Sequence, residues 1–201
     1  MTETVGRGRP RTGARALARR AVKAQVAEMA FDLFVDRGYD ETTVDDICAV
    51  AGISRSTFFR YFPTKEDVLL GEAAAFGEEL RGALEDRPDG EPPWVALRRA
   101  LRPLIDAYDA EPERRLRLAK LVTATPVLAA HHQEKAAHWQ ELLRPEVARR
   151  LGADPRDATD PRPAALVAAM LGCLDAATAA WAAGDGEPPL TEILDRAMGA
   201  I

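Results

Sequence analysis

The chain has 201 residues, of which 47% are hydrophobic and 29% charged, and its formal net charge is −5. This composition is ordinary for a soluble globular protein with a real core. No window holds the roughly 18 consecutive apolar residues that a membrane span needs, and the basic N-terminus lacks the apolar stretch of a secretory signal. The only cysteines, Cys48 and Cys173, match no metal-ligand or redox spacing, so we expect a reduced cytoplasmic protein.

The charge is unevenly distributed along the chain. Residues 1–23 carry seven basic residues against one acidic residue, Glu3, so the acidic excess lies in the remainder. A basic head on an acidic body is typical of a DNA-binding end joined to a second functional unit. The alternative interpretation is a solvated, disordered tail.

The basic head begins with a segment that we predict to be a disordered arm, residues 1–14, rich in glycine and arginine. It contains the sequence Arg-Gly-Arg-Pro at residues 7–10. Such an extended backbone lets two arginines enter a narrow A·T minor groove, and the candidates are Arg7, Arg9 and Arg11. Loose attraction to phosphates is the alternative.

Apolar residues at three- and four-residue spacing predict a first helix from about Arg15, which Gly38 ends. Thr43, with Asp46 three residues later, predicts a second helix to about Val50. Gly52 breaks that helix, and Ser54 caps a third helix through about Phe62. The pattern of two short helices about a glycine turn is a helix-turn-helix, whose second helix lies in the DNA major groove.

The third helix has two different faces. Phe58 and Phe62 are four residues apart, and we expect them to be buried with Ile53 against Ala30, Phe34 and Ile47. Arg55, Ser56, Phe59 and Arg60 then point away from the core, where arginine can bond guanine and Phe59 can touch a thymine methyl. Two helices about a glycine also occur in proteins that bind no DNA, so spacing alone leaves both readings open.

The runs from Gly38 to Ile47 and from Ala51 to Asp67 closely resemble the DNA-binding domain of TetR-family regulators, without gaps, within a match over about residues 15–70. The resemblance implies that the recognition helix is Ser54–Phe62. It implies DNA contacts from a set of residues on and beside this helix: Thr43, Arg55, Ser56, Thr57, Phe59, Tyr61 and Lys65. Ser54, which caps the helix, and Arg60, on its outer face, complete the predicted DNA-binding set. Phe59 departs from the family pattern, which usually has tyrosine there, so a hydroxyl bond to phosphate is lost.

The rest of the chain is predicted to be helical. Thr64, with Asp67, caps a fourth helix to about Glu85, and residues 86–93 form a loop. Further helices are predicted at about 94–109, 112–123, 126–151, 163–183 and 190–200, with Pro103 and Pro145 able to kink or divide theirs. We therefore expect an all-α protein of about nine helices, with residues 15–65 binding DNA and residues 66–201 binding a ligand and dimerising.

The acidic body resembles a TetR-family ligand-binding and dimerisation domain in its layout. The sequence from Phe58 to Phe62, with the layout beyond it, is similar to the mycofactocin-type branch tied to acyl-coenzyme-A-like ligands. Apolar walls with a few polar groups are what a small-molecule site needs. The candidate lining residues are Phe76, Trp94, Leu97, Leu101, Tyr108, Leu121, Trp139, Met170 and Cys173. The alternative is that most of them are simply core.

The last two predicted helices carry apolar stripes that suggest a subunit interface. One stripe is Val167, Met170, Leu171, Leu174, Thr178 and Trp181, and the other is Leu190, Ile193, Leu194, Ala197 and Ile201. Two such helices from each subunit would build a four-helix bundle, so we expect a homodimer through 163–183 and 190–200. The alternative is that both stripes close the core of one subunit.

Two rival functions start from other features. His131, Glu134 and His138 share a helical face where metal ligands could converge, but no second cluster completes a site, so we expect a solvated helix end without metal, cofactor or enzymatic activity. The acidic body could instead recruit a protein partner without any small molecule. We favour a dimeric, ligand-responsive transcriptional regulator, most simply a repressor, that binds a palindromic operator and is released by a hydrophobic or acyl-CoA-like molecule.

Overall fold

The structure is a computed structural model that describes the backbone of residues 11–71 and 73–201 and the side chains of residues 17–71 and 76–201. Over these ranges the chain forms eleven α-helices and no strand, which confirms the predicted all-α class. The chain divides into two compact units between Leu69 and Leu70. Each unit is described by itself.

The first unit contains α1 (Arg11–Arg37), α2 (Val44–Ala51), α3 (Arg55–Tyr61) and the start of α4 (Asp67–Leu70). Local sequence accounts for these boundaries. Thr43 and Asp46 form a reciprocal capping box at the start of α2, because each side chain bonds the backbone N–H of the other residue. Gly52, with φ of +63°, ends α2 in the left-handed conformation that favours glycine.

The core of the first unit forms as the helical pattern predicts. Ala30, Phe34, Ile47, Phe58 and Phe62 are buried. The ring centroids of Phe58 and Phe62 lie 5.3 Å apart on one face of α3. Ile53 is only half-buried, and Cys48 is a buried part of this core.

The second unit contains a longer series of helices. They are α5 (Ala73–Glu85), α6 (Pro93–Ala100), α7 (Arg102–Ala110), α8 (Pro112–Ala124), α9 (Pro126–Arg150), α10 (Arg162–Ala183) and α11 (Leu190–Met198). Proline stands at one of the first two positions of α6 through α10, where its missing N–H costs no hydrogen bond.

Several predicted boundaries differ from the structure. The first helix begins at Arg11, so residues 11–14 of the predicted disordered arm are helical. The predicted fourth helix, 64–85, is two helices, α4 and α5, and the predicted helix 94–109 is divided at Leu101, two residues before Pro103. Proline cannot donate to the carbonyl four residues earlier, which explains the second division. Pro145 nevertheless lies inside α9, which continues past it.

Most side chains of the apolar stripes of α10 and α11 lie inside the subunit, although Ile201 is exposed. Val167, Met170, Leu174, Ile193 and Leu194 are buried in the core cluster of the second unit. The sequence-based assignment of these side chains to a subunit interface is therefore wrong, and the alternative, that they close the subunit's own core, applies. Periodicity shows that a stripe is buried but not by which partner.

The opposite face of α10 is exposed and consists of small residues. The exposed positions include Ala164, Ala165, Ala168, Gly172, Ala176, Ala179, Ala180 and Ala183. Among the described residues, α10 is the one helix long and apolar enough to cross a bilayer by length and composition, and 39% of that window is buried. This is weak evidence for a membrane span, because core helices of soluble proteins meet the same criterion.

Candidate nucleic-acid interface and ligand-binding region

The outer face of α3 presents the side chains that the sequence predicted for DNA. Ser54, Arg55, Ser56, Phe59 and Arg60 are exposed, and Phe59 keeps 44% of its surface accessible. The inner face holds Phe58, which is completely buried, so the rotation of α3 about its axis is fixed by packing. Ser54 caps the helix by accepting a hydrogen bond from the Thr57 N–H at 3.2 Å. The outer face is therefore a small polar and aromatic surface on a rigid support.

Arg55 is held by a neighbouring helix. Its Nη1 donates to Oδ1 of Asp45 on α2 at 2.8 Å, and its guanidinium lies 5.6 Å from the centre of the Phe59 ring. This ion pair is largely exposed on both sides, so it stabilises the fold little and can exchange for an external acceptor. The contact spans two helices, and no local pattern in the sequence predicted it.

Tyr61 is covered by two arginines at the end of α3. The guanidinium of Arg19, from α1, lies 5.7 Å from the ring centre, and that of Arg60 lies 5.4 Å from it. Arg19 also donates to the backbone carbonyl of Arg60 at 3.3 Å. A shallow groove of about 300 Å³ runs between Arg19, Arg60 and Tyr61. The sequence analysis included Arg19 in the basic head but did not predict that it lies beside the recognition helix.

Thr43 and Lys65 occupy the two helix starts that flank α3. Thr43 bonds Asp46, and these hydrogen bonds hold the pKa of the Asp46 carboxyl below its usual range. The Lys65 ammonium donates to the Tyr39 carbonyl and lies 3.9 Å from the centre of the Tyr39 ring. Burial lowers the pKa of Lys65, while Asp40 and Glu66 act in the opposite direction. Both side chains thus have partners within the unit.

The predicted arm residues are only partly described. Arg7 and Arg9 lie outside the described residues, and Arg11 opens α1 although its side chain is not described.

The predicted ligand-lining residues fall into three groups in the second unit. Phe76 and Trp139 pack between α5 and α9 with ring centroids 5.0 Å apart and ring planes inclined at 59°. Trp94 donates to the Met198 carbonyl at 3.2 Å, and Tyr108 packs on Trp181 at 5.4 Å. Leu97, Leu101, Met170 and Cys173 are core residues, and Leu121 is half-buried. A ligand among them must separate helices that are in contact here.

The histidine-rich segment of α9 makes pairs. His131 Nδ1 lies 3.4 Å from Oε2 of Glu134, His132 Nε2 lies 3.1 Å from Oδ1 of Asp175, and His138 is exposed. Among the described side chains no group of three or more histidine, cysteine, aspartate or glutamate residues could hold a metal ion.

Each of the two units matches a known protein-family model. Residues 27–71 match the family model of bacterial regulatory proteins of the tetR family, and residues 91–201 match the model of the MftR C-terminal domain. A candidate mycofactocin biosynthesis transcriptional regulator, MftR of Mycobacterium tuberculosis, is 32% identical over 180 residues, which are 88% of this chain and 87% of that protein. The regulator TcmR of Streptomyces glaucescens is 34% identical over 71% of this chain and 66% of its own length.

Solved structures share the fold. FadR of Thermus thermophilus, a TetR-family repressor solved with lauroyl-CoA, is 27% identical with a TM-score of 0.57 over 88% of this chain and 91% of that chain. FadR of Bacillus subtilis, solved with stearoyl-CoA, is 18% identical with a TM-score of 0.58 over 87% of this chain and 95% of that chain, which shows the fold alone. The relatives are transcriptional regulators and not enzymes. With its helix-turn-helix unit followed by a helical second unit, the chain belongs to the TetR family of DNA-binding transcriptional regulators.

Proposed function

We propose that the protein is a cytoplasmic, ligand-responsive repressor, which binds a near-palindromic operator as a homodimer and leaves it when a hydrophobic or acyl-CoA-like molecule binds. In this proposal the first unit binds DNA, and the second binds the effector and forms the dimer. The observation that carries the DNA-binding part is the outer face of α3. Its arginines, serines and Phe59 stand exposed over the fully buried Phe58.

The contacts with DNA divide into two kinds. On the outer face of α3, Arg55 and Phe59 would meet base edges in the major groove. The helix starts at Thr43 and Ser54, together with Thr57, Arg60, Tyr61 and Lys65, would meet phosphates, because helix N-termini and cations attract anions. The basic arm would add contacts in the adjacent minor groove.

The dimer would form through the exposed small-residue face of α10. An apolar helix whose surface is largely uncovered in one subunit is typical of an interface. Alanine and glycine let two helices approach closely. A two-fold dimer presents two recognition helices about one DNA turn apart, so the operator should be a near-palindrome.

The effector class is supported by similarity. The second unit matches the MftR C-terminal domain, and the T. thermophilus FadR, at 27% identity, binds lauroyl-CoA. A ligand can release DNA only by as much as it prefers the released state.

The test is to select an operator from random double-stranded DNA with the full-length protein and then add lauroyl-CoA. The proposal predicts enrichment of an inverted repeat and lower operator affinity with lauroyl-CoA. Enrichment of no sequence would reject the DNA-binding assignment. An operator affinity and tryptophan fluorescence that both stay constant with lauroyl-CoA and other acyl-CoAs would reject the effector class.

Arg55 and Lys65 should differ in what they contribute to binding. Replacing Arg55 with alanine should relax the preference for one base by about tenfold, because a paired arginine–guanine contact is lost. Lys65→Ala should weaken binding to all sequences alike. Affinities measured on the selected operator, on single-base variants and on random DNA separate the two. Equal losses on operator and random DNA for Arg55→Ala would show that its role is misassigned.

Deleting residues 1–10, which precede α1, should weaken operator binding and make its salt dependence shallower. The double change Arg7→Lys and Arg9→Lys keeps the charge and provides the control. Insertion into the minor groove predicts that the lysine variant binds A·T-flanked operators more weakly, whereas loose phosphate attraction predicts no change. An unchanged affinity and slope for the deletion would remove the arm from the interface.

A further inference from the structure

A polar cluster lies among α7, α8 and α10 in the second unit. Tyr108 on α7 packs edge-on against Trp181 of α10, with ring centroids 5.4 Å apart. The hydroxyls of Tyr108 and Thr178 share a hydrogen bond, and burial raises the pKa of Tyr108. Arg115, from α8, places its guanidinium carbon 5.7 Å from the centre of the Tyr108 ring. The cluster thus combines two aromatic walls, a hydroxyl pair and a cation.

Arg115 is anomalous among the described residues. Its Nε is buried and has no hydrogen-bond partner, and no other described side-chain nitrogen or oxygen atom is in that condition. A buried donor left unpaired destabilises the folded protein, and the penalty is larger for a charged group than for a neutral one. The contact with the Tyr108 ring offsets only part of that cost.

No neighbouring carboxylate supplies the missing acceptor. Asp175, one turn before Thr178 on α10, is close enough to Tyr108 to influence its pKa. Both of its oxygens are already engaged, Oδ1 by His132 and Oδ2 by Gln133, each at 3.1 Å. The positive charge of Arg115 therefore lies beside the Tyr108 side chain, without an anion bonded to its Nε.

We propose that Arg115 binds an anionic group of the effector, a carboxylate or a phosphate, with Tyr108, Thr178 and Trp181 forming the walls of the same subsite. This rests on the proposed function, since it assigns a recognition residue within the effector domain. An arginine bonds the planar or tetrahedral oxyanion strongly in a low-dielectric site. The aromatic walls accept the adjoining apolar part. In the complex the Arg115 Nε would donate a hydrogen bond to the ligand. In the free protein this donor stays unpaired, which lowers the stability of the fold.

A recognition residue and a structural residue respond oppositely to substitution. Removing a structural arginine leaves its hydrogen-bond partners unsatisfied and lowers the stability of the protein. Removing an arginine whose buried donor has no partner leaves the free protein as stable or more stable. Arg115→Met keeps the length and apolar stem without the charge. Arg115→Lys keeps the charge and provides a variant in case the methionine variant does not fold.

The experiment titrates the full-length protein with laurate, lauroyl-CoA and the uncharged 1-dodecanol by calorimetry, alongside thermal unfolding without ligand. Wild type should bind at least one of the two anionic ligands, laurate or lauroyl-CoA, about tenfold more tightly than dodecanol. Arg115→Met should lose that preference and keep its affinity for dodecanol, while its melting temperature stays equal or rises. Arg115→Lys should retain part of the preference. Loss confined to laurate identifies a carboxylate as the bound group, and loss confined to lauroyl-CoA identifies a phosphate.

Arg102→Gln, which removes an exposed ion pair with Asp106 on α7, is the matched control and should change none of these values. The inference is overturned if Arg115→Met binds laurate and lauroyl-CoA with the affinities of the wild type, or if the wild type binds dodecanol as tightly as these two anionic ligands. In either case the effector class can still stand, because the anionic ligands still bind. A wild-type protein that binds none of the three probes overturns both the inference and the effector class.

Discussion

Replacing Arg150 with alanine should lower the free energy of unfolding of the second unit by about 3–5 kcal/mol, because it leaves several backbone carbonyls without a donor and removes one of the two partners of the buried Glu146 carboxylate. The Arg150 side chain has no exposed surface. It donates to Oε1 of Glu146 at 2.8 Å and to the backbone carbonyls of Leu84, Arg87 and Pro88 at 2.7–2.9 Å. These carbonyls lie at or just beyond the C-terminus of α5, where helical partners are missing.

The three tryptophans of the chain, Trp94, Trp139 and Trp181, all lie in the second unit, so tryptophan fluorescence in a urea titration reports its unfolding alone. The neighbouring Arg149 is the matched control. It bonds the same Glu146 carboxylate but is half-exposed and also pairs with the exposed Asp89. Arg149→Ala should cause only a small change, as exposed ion pairs do. Losses of equal size for the two arginines would mean that Arg150 contributes only through Glu146.

The parts of the fold that sequence predicts well are those set by neighbours in the chain. The capping pair of Thr43 and Asp46, the Ser54 cap and the left-handed Gly52 all depend on residues within a few positions. The buried and exposed faces of α3 follow from its helical period in the same way. Helix breaks were harder to predict, because the division at Leu101 depends on a proline two residues later whose effect varies with packing, as the uninterrupted course of α9 through Pro145 shows.

Contacts between distant residues carried no sequence signal. Arg150 is more than sixty residues from the carbonyls that it binds, and Arg55 meets Asp45 only because α2 and α3 cross. The apolar stripes of α10 and α11 also show this limit of sequence analysis. The sequence pattern of a buried stripe is the same whether the stripe packs in its own core or against a second subunit. The small-residue face of α10, which sequence analysis did not select, is the surface left exposed.

The predicted ligand-lining residues illustrate why pockets resist sequence analysis. A pocket wall and a core residue have the same composition, and here Leu97, Leu101 and Met170 are completely buried. A polar group that is buried without a hydrogen-bond partner distinguishes a candidate recognition residue from a core residue. Arg115 can be identified in this way only when the atoms around its Nε are known. No alternation or spacing in residues 112–124 distinguishes it from the other arginines of α8.

Gly77→Ala should destabilise the second unit by about 1–3 kcal/mol, the usual cost of overpacking a core. A Cβ at Gly77 would lie 2.6 Å from Cδ1 and 2.9 Å from Nε1 of Trp139, and 3.1 Å from Cδ1 of Leu142. Trp139 is buried and packs against Phe76, so its indole ring cannot turn aside freely. Alanine's better helix propensity, worth about 1 kcal/mol, offsets only part of the clash.

Gly82, on the same helix α5, is the matched control. A Cβ there meets nothing within 4 Å, so Gly82→Ala should raise the free energy of unfolding by about 0.5–1 kcal/mol. The two substitutions are chemically identical and should have opposite signs in urea titrations followed by tryptophan fluorescence. In a Trp139→Leu background the cost of Gly77→Ala should shrink, because the ring that obstructs the new methyl group is gone. Stabilisation by Gly77→Ala, or an unchanged cost in that background, would show that the close approach of α5 to the Trp139 ring does not limit packing.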